Sequence, residues 1–126
     1  MVEAPNAWTG PVASSIKFFM QAIPESDWRQ FKQVHQALLQ RFCERTLNEL
    51  AGIINSKSGM PHERYLQLYR LVQKRDRELG RAFNDYRRST AMVQLAHMRA
   101  MGLLTDEELS RFSEEAQTAV RFLAER

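Results

Sequence analysis

Proline stands at only four positions, 5, 11, 24 and 61, so 36 residues separate Pro24 from Pro61 and the remaining 65 contain none. A proline inside a helix removes one backbone hydrogen bond and clashes with the preceding turn, so these gaps leave room for unusually long helices. Breaks of other kinds fall where the prolines do. Asn55, Ser56, Ser58 and Gly59 gather just before Pro61, and Gly102 precedes Leu103-Leu104-Thr105. No run alternates apolar and polar residues over the length of a strand, and no internal repeat or low-complexity tract occurs. The chain therefore reads as all-α, with three main helices at about 25–56, 61–101 and 105–125, arranged as an elongated helical hairpin or small bundle.

Each segment carries its own signals. After Pro24, the acidic turn Glu25-Ser26-Asp27 suits the positive end of a helix dipole. Trp28, Phe31, Val34, Leu38, Phe42, Thr46 or Leu47, Leu50 and Ile53 or Ile54 then recur at steps that make one apolar stripe. In the last segment Thr105 and Glu108 form a capping box, and Leu104 is placed to staple against Leu109. Leu109, Phe112, Ala116, Val120 and Leu123 supply that segment's buried face.

The middle segment has helical periodicity but no clear stop. As one helix, 61–101 would be about 60 Å long, against a radius of gyration near 14 Å for a compact chain of this size. It either breaks, at Gly80 or at Arg88-Ser89-Thr90, or projects toward a partner. Neither site has a proline or a strong cap, which favours the unbroken, projecting helix.

Composition sets the class. With 44% apolar and 26% charged residues, the 126-residue chain can bury a core without staples. It is expected to divide into an N-terminal arm, 1–24, partly docked through its apolar residues 12–23, and a single helical domain, 25–126. The one cysteine, Cys43, points to a reducing compartment and hence the cytoplasm. The N-terminal residues lack an unbroken apolar core of the secretory kind, and no run is long enough for a membrane span.

Catalytic constellations are thin. His35, His62 and His97 have no ligand-spaced partners, Cys43 lies two turns from His35, and neither a phosphate-cradling glycine loop nor a nucleophile elbow is present. No catalytic residue, metal or cofactor is expected. Glu107-Glu108 and Glu114-Glu115 read as helix-start and surface acids.

Charge is unevenly spread. Residues 57–99 hold ten Lys or Arg against four Asp or Glu, a net of +6, while 105–126 hold three against six, a net of −3. Arg70, Lys74, Arg77, Arg81 and Arg88 follow helical steps and form one basic stripe, able to neutralise nucleic-acid phosphates. The plainer account is a solvated face, paired along the helix as Lys74 with Glu78 and Arg81 with Asp85.

A second stripe on the same segment is apolar. Tyr69, Val72, Leu79, Phe83 and Tyr86, followed by the soft Met98 and Met101, suit a surface that adapts to a protein partner. The leading expectation is thus a non-enzymatic helical module that binds a protein partner and forms a homodimer, with nucleic-acid binding as the alternative. The spacing Arg29-Gln-Phe-Lys-Gln-Val-His35 also resembles the Arg, four to six residues, His motif of the all-α HEPN ribonucleases. That resemblance implies a third role, in which Arg29 steadies a scissile phosphate and His35 transfers a proton across a dimer cleft.

Overall fold

The computed structural model describes residues 23–125. All of the regular structure among them is helical: α1 Glu25–Asn55, α2 Pro61–Phe83, a 3-10 turn Arg88–Thr90, α3 Ala91–Ala100, α4 Asp106–Leu109 and α5 Glu114–Ala124. The all-α reading holds. The docking expected of residues 12–22 lies outside the described residues; the next residue, Ile23, is buried in the core.

α1 is 31 residues, about 46 Å, and begins and ends as its sequence dictates. Glu25 and Asp27 occupy its first turn, and Ser56 leaves the helix in an extended conformation. A short loop, with Gly59 at φ 84°, reverses the chain. Pro61 then opens α2, and the Glu63 carboxylate accepts a hydrogen bond from the Met60 N–H at 2.9 Å. The Arg64 guanidinium reaches back to the Ile54 carbonyl at 3.1 Å, satisfying one of the orphan acceptors at the end of α1. The two helices form an antiparallel hairpin.

Of the two alternatives for 61–101 the break is the one that occurs, in the stretch that ends at Arg88-Ser89-Thr90, and the slightly favoured unbroken helix does not. α2 stops at Phe83, the Thr90 hydroxyl bonds the carbonyls of Asp85 and Arg87, and Asp85 pairs with Arg87. Arg88 then anchors the turn to the start of α1, with Nη2 2.6 Å from the Ile23 carbonyl and Nη1 2.9 Å from Glu25. A break without proline or glycine is held open by contacts to residues more than sixty positions away. α3 ends in a Schellman motif: Gly102 takes φ 77°, its N–H bonds the Arg99 carbonyl, and the Leu103 N–H bonds the Met98 carbonyl.

The final segment also divides in two. Thr105 and Glu108 make the expected capping box, with reciprocal bonds of 3.1 and 3.0 Å. The helix lasts one turn, and Ser113 caps a new one by accepting from the Ala116 N–H. That second cap is fixed from afar, because the buried Asp27 carboxylate accepts from the Ser113 N–H at 2.9 Å and its hydroxyl at 2.7 Å.

The core lies at one end of the hairpin. Phe31, Val34, Leu38 and Phe42 of α1 and Ala82 and Phe83 of α2 pack with Met92, Leu95 and Met98 of α3, Leu109, and Ala116 and Val120 of α5. Between Phe42 and Ala82 no residue is buried. The hairpin's loop-proximal part is thus a two-helix structure with a single seam between its members.

Candidate interaction surface

The loop-proximal hairpin has two different sides. One is polar and is roofed by α3 and the residues that follow it, enclosing an open cleft of about 640 Å³ lined by Arg45, Glu49, Arg75, Glu78, Arg81 and His97 above Phe42, Met101 and Leu103. Arg75 is the brace across this side. Its guanidinium bonds Glu49 at 2.8 and 2.9 Å and Glu78 at 3.0 and 3.2 Å. These bonds, first of all the one from Arg75, hold the Glu49 carboxyl below its ordinary range.

The other side is apolar and nothing covers it among the described residues. Cys43, Leu47 and Leu50 of α1 and Val72, Asp76 and Leu79 of α2 line a shallow groove of about 290 Å³ there. The groove continues toward the loop along steps of three and four residues, to Ile54 on α1 and to Tyr69 and Tyr65 on α2. Leu47, Ile54, Tyr65 and Tyr69 are each more than half exposed, and Val72 is 41% exposed. Scattered exposed leucines need no explanation, but five large side chains aligned on one side of a two-helix element form a contiguous patch.

Of the residues expected to meet a partner, Tyr69 and Val72 are on this patch. Phe83 and Met98 are core residues instead, and Leu79 and Met101 pack against the core. Tyr86 is 47% exposed but lies against its own chain, with ring centroids 5.6 Å from Trp28, 6.0 Å from Phe31 and 4.6 Å from His35. The stripe switches from solvent-facing to self-facing as α2 enters the globular end. Leu47 and Ile54, which the apolar spacing places on that helix's own core stripe, instead face outward, with Leu50 half-buried between them.

The basic stripe is dispersed in a comparable way. Arg70, Lys74 and Arg77 are exposed along the outer edge of α2 and carry no ion pair among the described residues. Arg81 lines the polar cleft, and Arg88 is tied to Ile23 and Glu25. The helix pairs expected for Lys74 and Arg81 are replaced: Glu78 bonds Arg75, and Asp85 bonds Arg87.

His35 and Arg29 do not converge. Six positions apart on one helix, they differ by about 120° in direction and about 9 Å along the axis. Arg29 is largely exposed and sits 4.0 Å from Glu25. His35 is ringed by Phe31, Phe83 and Tyr86, and burial pushes its pKa down, partly offset by a hydrogen bond to the Phe83 backbone. No group of three His, Cys, Asp or Glu side chains able to hold a metal occurs among the described residues. None of their helices is long and apolar enough to cross a membrane.

Glu108, the helix-start acid of the capping box, is in addition buried and bidentate with Arg41, at 2.8 and 2.9 Å. Arg41 also bonds the Leu103 carbonyl at 2.6 Å. The Arg41 bond, with help from Thr105, brings the Glu108 carboxyl down to about 2. Comparison with known proteins brings up no matching family model, no similar curated protein and no similar solved structure.

Proposed function

We propose that this chain is a non-enzymatic, cytoplasmic helical module that binds a protein partner through the apolar side of the α1–α2 hairpin. The observation that carries this reading is the alignment of the exposed Leu47 and Ile54 with Tyr65, Tyr69 and Val72 on one side of the hairpin, around the half-buried Leu50. A helix pair with one uncovered apolar side lacks the second layer that helical architectures ordinarily supply. Tyrosine is also among the residue types that dominate interface energetics. In contrast, the chain's semi-buried charges are committed to structural bonds: Asp27 to Ser113, Glu108 to Arg41, and Arg75 to Glu49 and Glu78.

The test is site-specific photo-cross-linking in the source cell. A photoreactive phenylalanine replacing Tyr69 is expected to give discrete protein adducts that disappear when Leu50→Asp is added. The same residue replacing the exposed Arg111 is expected to give none. Equal adducts from both positions would refute the reading. Nucleic-acid binding is a second reading, favoured by the unpaired Arg70, Lys74 and Arg77 along one edge of α2.

A further inference from the structure

We infer, resting on the reading of the hairpin's apolar side as a docking surface, that its occupant is a second copy of this chain. The two hairpins would pack face to face about a two-fold axis parallel to them, forming a four-helix bundle with both loops at one end.

Area is the first argument. Leu47, Ile54, Tyr65, Tyr69 and Val72 leave on the order of 500 Å² uncovered between them. With half-buried Cys43, Leu50 and Leu79 and the polar rim, the side approaches the roughly 800 Å² per partner of a standard interface. The layer formed by α3 and its following loop meets the opposite, polar side, where His97, Met101 and Leu103 line the cleft, so it does not obstruct this one.

Shape and charge then select the arrangement. With the axis along the hairpin, α2 of one copy lies on α1 of the other. The bulky Tyr65 and Tyr69 then face the smaller Leu47, Leu50 and Ile54, and neighbouring helices all run antiparallel, as in up-and-down bundles. The basic edge Arg70, Lys74 and Arg77 comes beside the α1 edge that carries Glu44. Turning the axis across the hairpin would instead set α2 on α2 and basic edge on basic edge. Such like-charge juxtaposition disfavours that alternative.

Sedimentation velocity of the full chain between about 1 and 200 µM is expected to show a reversible monomer–dimer equilibrium. Tyr69→Asp, at an exposed position, is expected to keep the helical circular dichroism and weaken the dimer by at least about 100-fold, because each substitution enters a two-fold interface twice. Orientation is read in a Cys43→Ser background. An equimolar mixture of Leu50→Cys and Val72→Cys chains is expected to form the mixed disulfide in preference to either self-pair.

A dimer unaffected by Tyr69→Asp and by Tyr65→Arg would overturn the inference. So would self-pairing of Val72→Cys, which reports the crossed arrangement. A monomer at every concentration would overturn it too. If photo-adducts at position 69 then contain a different protein, the docking reading survives. If a Val72→Cys thiol in that monomer is shielded from alkylation, the occupant is the chain's own residues 1–22. If the thiol is open and position 69 gives no adduct, the docking reading falls as well.

Discussion

Replacing Glu108 by Gln isolates the Arg41–Glu108 ion pair of the globular end, whose members lie 67 positions apart. The carboxylate receives both Arg41 nitrogens and the Thr105 N–H, and its side chain is only 11% exposed. Its pKa of about 2, against 4.5 for an ordinary Glu, corresponds to a ceiling of about 3 kcal/mol at 1.36 kcal/mol per unit. Arg41 remains about one-third exposed, and a glutamine keeps one guanidinium bond and the capping-box acceptor, so the expected cost at neutral pH is about 2 kcal/mol. The unfolded carboxyl takes up its proton first as pH falls. The bonus of the charged form is therefore complete above about pH 4.5 and is lost progressively toward about pH 2. Urea unfolding of both proteins at one fixed concentration should show a gap of about 2 kcal/mol at pH 7 that shrinks to under about half by pH 3. A gap below about 0.5 kcal/mol at pH 7, or one equally large at pH 3, would refute the assignment of Glu108 as a structural anion.

His35 gives a second pH-dependent contribution, and its sign is set by burial. Because its folded pKa is lowered, the unfolded chain binds the proton more readily; stability is level above about pH 6.5 and falls as pH drops below it. His35→Phe should flatten unfolding midpoints between about pH 5 and 7, and an unchanged slope would exclude His35 as its source. Gly102→Ala meets no steric obstacle but must adopt φ 77°, so a loss of about 1 kcal/mol is expected in thermal or urea unfolding. Neutralising Arg70, Lys74 and Arg77 to Gln should alter stability by no more than about 1 kcal/mol. If that edge instead holds nucleic acid, binding to nonspecific RNA should fall steeply with salt and lose about 0.7 in log–log slope per charge removed.

What the sequence reveals about this fold is local, and what it conceals is non-local. Pro24 with its acidic turn, Pro61, and the Thr105–Glu108 box each declare a helix start through chemistry contained in one turn. The stop at Phe83 has no comparable signal, since Arg88 enforces it by reaching Ile23 and Glu25. Ser113, followed by Glu114 and Glu115, does carry an N-cap signature. The apolar spacing from Leu109 to Val120 continues through it and hides the break.

The candidate surface was half legible for the same reason. Tyr69 and Val72 stand out on the periodicity of α2, but periodicity cannot distinguish a residue facing a partner from Phe83 or Met98 facing the core. Leu47, Leu50 and Ile54 belong to a stripe that serves the core at Phe31 to Phe42 and runs past the end of the globule. The buried Asp27 and Glu108 were hidden because their partners, Ser113 and Arg41, lie 86 and 67 positions away.

The most direct measurement of the central claim, that the hairpin completes itself against a second copy, is amide hydrogen exchange as a function of protein concentration. Residues 43–55 and 61–79 contain no buried side chain, so in the monomer they should open far more readily than α3 and α5. The account predicts that protection in these two stretches rises with concentration, by about threefold per decade once dimer predominates, and levels off at a low monomer value in dilute protein, where α3 and α5 remain protected. Protection of 43–79 that is independent of concentration, or that already equals that of α3 and α5 in dilute protein, would contradict it.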